Sequence, residues 1–206
     1  MTLETVKQPL VPQLKDLVAT VENLRRMLGA ARHAFNRHSL AKLEEMAQLR
    51  DDIILDLDPW FEQVDAELKK APAASRDNLL KIKEILTGLE VMADAIARLA
   101  DPIRRKSNHG AIFGDKEFFQ INDLFAQFAG LLRALVDLFL YQDASLKVYV
   151  HQECQKMKSL CFAEENDHAT QMMDSPGQHG AWSIHLDMLD RFREAMKNLV
   201  MIVDLL

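Results

Sequence analysis

Glycine and proline are scarce in this chain, seven and six residues in 206. The turn-forming ones gather at Pro9/Pro12, Pro72, Gly110/Gly114 and Pro176-Gly177-Gly180, leaving long stretches that carry helical periodicity. Short β-branched runs between turn dipeptides are missing, so strand has little support. Cysteine is limited to Cys154 and Cys161. Seven residues apart on a helix puts them about 10 Å apart along its axis, too far for a disulfide, which fits a reducing compartment. Positive charge is also thin: net charge is −6 and the only compact basic run is Arg104-Arg105-Lys106, so neither nucleic acid nor anionic lipid is an expected partner. The longest apolar stretch, Leu131 to Tyr141, is broken by Arg133 and Asp137, short of the roughly 18 to 20 residues of a membrane span. Met1 to Lys15 holds Glu4, Pro9 and Pro12 and does not read as a secretory signal, so a cytoplasmic address is expected. Phosphate-loop, nucleophile-elbow and Cys-x-x-Cys patterns are absent, and no enzyme activity is expected.

What is present is helix, and the pattern predicts six. The first spans about 11–36, with Leu14, Leu17, Val21, Leu24 and Leu28 on one face. The second runs from the plausible cap Ser39 to about Lys70, with a kink or restart expected at Pro59. In the third, about 75–105, Leu79, Ile82, Leu86, Leu89, Ala93, Ile96, Ala100 and Ile103 form a bundle seam. After a loop at 107–114 come helices over about 115–142, 143–172 and 181 to the end. Three helices, a loop and three more predict an all-α fold of two tandem antiparallel three-helix bundles, residues 1–108 and 109–206, forming an internal repeat.

Each copy ends in a helix with carboxylates four residues apart: Glu90 and Asp94 in the first, Asp190 and Glu194 in the second. Carboxylates at i and i+4 share a helix face and repel unless a cation separates them. The second helix adds Glu44, Asp51 and Asp58, with Asp52 and Asp56 alongside. Oxygen-only ligands suit Mg²⁺, Mn²⁺ or iron. The alternative is a solvated acidic face, with Asp94 paired to Arg98 one turn on.

The repeat resembles the PhoU family of phosphate-signalling proteins, whose repeat ends in a helix bearing Glu-x-x-x-Asp. Ala34-Phe35-Asn36-Arg37-His38-Ser39-Leu40-Ala41 through Leu49-Arg50-Asp51-Asp52-Ile53 looks like that family's first helix junction and acidic second helix. Leu89-Glu90-Val91-Met92-Ala93-Asp94-Ala95 looks like its motif, and Tyr141-Gln142-Asp143-Ala144 like the second junction. Asp190, Glu194 and Asn198 take the motif places of the second copy with the acids exchanged. Two departures stand out: the family's Gly-Asp-His-Ala continuation is Ala93-Asp94-Ala95 and Arg193-Glu194-Ala195 here, and Arg98 replaces an asparagine. The resemblance implies a cytoplasmic, non-enzymatic regulator that dimerises and couples a phosphate transporter to a sensor kinase. It also implies divalent or iron ions, held by Glu90, Asp94 and Asp51 in one cluster and by Asp190, Glu194 and Asn198 in another. A helical scaffold without metal, or an accessory to another phosphate carrier, is the alternative.

Other constellations carry less. A di-iron site needs two Glu-x-x-His strings and only Glu165-Asn166-Asp167-His168 is present. His151, Cys154 and Cys161 share a stripe that can hold zinc, though buried cysteine more often packs. Met157, Met172, Met173, Met188, Met196 and Met201 suit core filling, or an adaptable groove. Phe113, Phe118, Phe119, Phe125 and Phe128 suit packing, a contact between bundles or a dimer anchor.

Overall fold

The computed structural model describes residues 12–108, 110–174 and 179–206, with the backbone alone at 74, 164–174 and 179. The prolines Pro9 and Pro176, and the side chains of Glu165 to His168, Met172 and Met173, lie outside what the structure describes. After a 3-10 turn at Leu14–Leu17, seven α-helices follow: α1 (Val18–Arg37), α2 (Leu40–Lys70), α3 (Ala73–Ala97), α4 (Ala100–Asn108), α5 (Asp115–Tyr141), α6 (Ala144–Asp174) and α7 (His179–Leu205). No strand occurs among the described residues, and the fold is all-α.

The expected third helix is broken into α3 and α4. Pro102 is the cause, because it has no N–H for the Arg98 carbonyl and its ring crowds that turn. The chain reroutes through Leu99 N–H to Ile96 O at 3.0 Å and Ile103 N–H to Leu99 O at 3.2 Å. Pro59, by contrast, sits inside an unbroken α2, so the expected restart does not occur. It lies on an exposed face beside exposed Leu55, where solvent can satisfy the carbonyl its ring orphans.

The heptad-like spacing places its residues inside. Val21, Leu24, Leu28, Ala31 and Phe35 of α1 are buried, as are Leu86, Leu89, Ala93, Ile96, Ala100 and Ile103 of the seam. Helix α1 packs on α2 and α5, α2 on α3, and α6 on α7; α3 and α4 both lie against α7. The buried side chains of all these helices form one connected core. Phe35 stands at its centre, with ring centroids of Phe113 and Phe118 at 5.6 Å and of Phe125 at 6.2 Å. Phe192 of α7 closes the cluster on Phe125 at 5.0 Å. Aromatic rings in this range gain from tilted contact beyond the area they bury. The phenylalanines therefore join α1 to α5 and α7, and of the expected group only Phe119 is largely exposed.

Helix α5 is, among the described residues, the one helix long and apolar enough to cross a membrane. Half of its most apolar stretch is buried, and the helix packs on α1, α6 and α7. A helix surrounded on several sides needs apolar residues on several faces, which accounts for its composition.

Candidate functional site

Helices α3 and α7 carry the two acidic motifs and pack on each other, brought close by Gly88. A Cβ built at Gly88 lies 2.7 Å from Ile202 Cγ1 and 3.0 Å from Met201 Cε, so any larger residue here must displace the Ile202 side chain.

The first motif is organised by an arginine from α2. Arg50 Nε donates to Asp94 Oδ1 at 2.9 Å, its Nη2 lies 2.9 Å from the same oxygen, and its Nη1 donates to Asp51 Oδ1 at 3.0 Å. The hydrogen bond to Asp51, followed by that to Asp94, raises the Arg50 pKa above its ordinary value. Asp51 and Asp94 are thus brought together, across one guanidinium. Glu90 is half-buried nearby in sequence and makes no ion pair among the described residues. Of the remaining α2 acids, Asp52 accepts from Gln48 Nε2 at 2.9 Å, and Glu44, Asp56 and Asp58 are exposed.

Arg98 does not pair with Asp94 as the i, i+4 spacing predicts. It sits at the α3 C-terminus, its own N–H donating to the Asp94 carbonyl, and its guanidinium crosses to α7. There Nη1 donates to Glu194 Oε1 at 2.9 Å. Arg191 Nη1 lies 3.4 Å from the other Glu194 oxygen and 3.9 Å from Asp190, while Arg193 Nη2 donates to Asp190 Oδ1 at 2.7 Å. Asn198 gives its amide to the Glu194 carbonyl at 2.9 Å, a bond within its own helix. Among the described residues no three of His, Cys, Asp and Glu converge as metal ligands.

Around this second motif lies a depression of about 530 Å³ lined by Arg98, Lys158, Phe162, Asp190, Arg191, Arg193, Glu194 and Lys197. A smaller one of about 330 Å³ beside the first motif includes Arg50, Asp94, Arg98, Asp101 and Arg104, so Arg98 borders both. Sequence reasoning missed the role of Arg50 and the gathering of cations from two helices among the described residues of the second depression. Its signal was present as Arg191, Arg193 and Lys197 on one helix and Lys158 on another, but joining them requires the α6 to α7 packing.

The zinc stripe separates. His151 Nε2 lies 2.6 Å from Asp204 Oδ1 of α7, at the surface, whereas Cys154 is fully buried and its thiol is pushed up to about 12 by that burial. Buried among apolar side chains, Cys154 packs as a small hydrophobic group, apart from the surface pair of His151 and Asp204.

The geometry defines an all-helical protein whose two halves share a core, with the acidic motif helices face to face. No family model matches the chain, and no curated protein does. Among solved structures, the crystal structure of PhoU from Pseudomonas aeruginosa matches with a TM-score of 0.82 at 17% sequence identity, over 92% of this chain and 91% of that one. The chain has a PhoU-like fold.

Proposed function

We propose that this protein is a PhoU-like regulator of phosphate transport or phosphate signalling. It acts by protein–protein contact with a transporter, a sensor kinase or both, as a cytoplasmic homodimer without catalytic activity. The observation that carries this reading is the fold likeness over nearly the full length of both chains.

Within that reading the motif surface favours the metal-free branch. Four of the five motif acids, Asp51, Asp94, Asp190 and Glu194, are held by arginines, and a guanidinium offers five donors and no acceptor to a metal. The divalent or iron clusters that the resemblance implies would have to displace these pairs. The test of the regulatory role is alkaline phosphatase activity in a deletion strain grown in excess phosphate. High activity that a plasmid copy reverses supports phosphate-signal repression. Activity equal to the parent's turns the reading to an accessory of another carrier or a helical scaffold.

A further inference from the structure

Apart from Arg76 of α3, the arginines that make no ion pair among the described residues gather on α1 and α5. They are Arg26, Arg32, Arg37 and Arg133, all at exposed positions. Arg26 gives Nη1 to Asn23 Oδ1 and Arg32 gives Nε to Asn122 Oδ1, each at 3.1 Å and each to a neutral amide. Arg37 and Arg133 make no hydrogen bond among the described residues. The bonds from Arg32 and Asn36 to Asn122 fix the register of two antiparallel helices, and Leu14 and Leu17 beside Gln142 mark their other end. That register brings Gly29 level with Ala126 to Gly130. A Cβ built on Gly29 or Gly130 meets no atom within 4 Å, so the seam between the helices has a bare floor with arginines along its banks. Helix α6 lies against the other edge of α5, at Gln120, Leu124 and Gln127.

The complementary shape is on α2. Leu55 is 67% exposed and has Asp52, Asp56 and Asp58 within one turn of it. Asp52 accepts from Gln48, and Asp56 and Asp58 make no ion pair among the described residues. Helices α1 and α2 pack on each other, yet no ion pair joins them among the described residues, so these arginines and aspartates are uncommitted within the chain.

We infer that the seam between α1 and α5 docks α2 of a second copy of this chain, with Leu55 seated on the floor at Gly29 and Gly130 and the aspartates around it meeting the arginines on the banks. Guanidinium forks pair with carboxylates through two parallel donors, which fixes register as well as attraction. Each copy carries both features on neighbouring helices, so one twofold axis can satisfy both contacts at once. A face two helices wide and about 30 Å long covers roughly 600 Å² per copy, at the low end for a specific interface, and the association should be correspondingly weak and salt-sensitive. The inference rests on the homodimer of the proposed function and names its surface.

The experiment is sedimentation equilibrium of the full 23.5 kDa chain at low and at raised salt. The expected result is a dimer whose dissociation constant rises about tenfold with salt. R37E/R133E and D56K/D58K should each sediment as monomers, whereas their equimolar mixture should dimerise, because both contacts of the mixed pair are complementary again. Gly29→Leu should also abolish the dimer. Its thermal unfolding should hold or rise at concentrations where the parent is monomeric, since the new side chain has open space and leucine the better helix propensity. A chain that is monomeric at every concentration and salt overturns the inference and the homodimer together. A dimer indifferent to R37E/R133E and to Gly29→Leu, or charge variants that stay apart when mixed, overturns the inference alone and leaves the homodimer on another surface. Growth beyond the dimer as concentration rises, or association of the parent only with anionic phospholipid vesicles, would overturn it as well.

Discussion

The corner from α1 to α2 and the corner from α5 to α6 use the same backbone device and are secured by different chemistry. Each turns on a non-glycine residue in the left-handed region, His38 at φ 54° and Gln142 at φ 51°, and each leads into a helix of 31 residues. At the first corner the support is tertiary: buried Lys106 of α4 donates to the Phe35 carbonyl at 3.0 Å and contacts His38 Nε2 at 3.3 Å. His38 Nδ1 contacts Ser107 Oγ at 3.2 Å, and that hydroxyl donates to the Ile103 carbonyl. At the second corner it is local, Asp143 Oδ1 accepting the N–H of Ser145 at 2.7 Å and of Leu146 at 3.2 Å. The motifs diverge likewise, a single arginine bridging Asp51 and Asp94 in one half and three arginines, Arg98, Arg191 and Arg193, meeting Asp190 and Glu194 in the other. Backbone geometry is what the halves have in common, while charge is assigned afresh in each.

The largest expected effect tests whether the halves are one cooperative body. Gly88→Val drives two methyl groups into Ile202 at the α3 to α7 crossing and should destabilise by about 2 to 3 kcal/mol by overpacking. Gly88→Ala should lose less, because the clash is offset by roughly 1 kcal/mol of helix propensity. Urea unfolding followed by helical signal should stay a single transition in both, and Ile202→Ala should recover part of the Gly88→Val loss. Two separated transitions, or a Gly88→Val midpoint equal to the parent's, would show that the halves do not depend on this crossing.

Next in size is the lysine at the first corner. Lys106→Met keeps an unbranched apolar side chain but removes both the ammonium over the Phe35 ring and the donor to the Phe35 carbonyl, at a cost of about 1 to 2 kcal/mol. Burial lowers the Lys106 pKa below its ordinary 10.5, so the unfolded chain holds this proton more tightly. The protonated amine therefore opposes folding below the lowered value, and stability rises with pH through the window up to 10.5, then levels. Unfolding free energies of parent and variant between about pH 8 and 10 should diverge in the parent's favour. Parallel curves would sink this account of the corner.

A smaller effect belongs to the first motif. The Arg50 and Asp94 side chains are 37% and 34% exposed, so Arg50→Ala should cost no more than about 0.5 to 1 kcal/mol, with solvent screening most of the pair. It frees Asp51 and Asp94, and saturating Mn²⁺ should then raise the melting temperature of Arg50→Ala while leaving the parent unchanged. An equal rise in the parent would mean that the guanidinium does not keep metal out, and that the clusters expected from Glu90, Asp94 and Asp51 form after all.

Much of the architecture was legible because burial follows spacing. The seam from Leu86 to Ile103 could be read directly, and so could the junctions at Ser39 and Asp143. Pro102 was legible too but was overridden by the apolar pattern running through it, whereas at Pro59 the helix continues without the restart that its proline allows. Whether a proline breaks a helix depends on which face its orphaned carbonyl presents, and that is a tertiary fact. The motif acids were equally plain, yet their partners were not. Arg98 was assigned to Asp94 on spacing, but the Pro102 break and the α7 surface send it to Glu194, and Asp94 falls to Arg50, 44 residues earlier in the chain. Charge partners across helices are set by packing, which periodicity alone does not report.

The smallest expected effect bears on the corners themselves. Ser39 occupies the cap position of α2 but makes no side-chain capping bond, whereas Asp143 makes two at the start of α6. Ser39→Ala should accordingly leave the melting temperature where it is, and Asp143→Ala should lower it, reversing the usual ranking in which serine and aspartate are equivalent caps. The two backbone N–H groups hold the Asp143 carboxyl below its ordinary 3.8, so its contribution is present above that value and is lost as pH falls through the lowered one. The gap between parent and Asp143→Ala should therefore close in acid, while Asp143→Asn, which keeps an acceptor oxygen without the charge, should behave as an intermediate at neutral pH. A gap that persists once the carboxyl is protonated would assign the effect to the strained Gln142 turn and not to the cap.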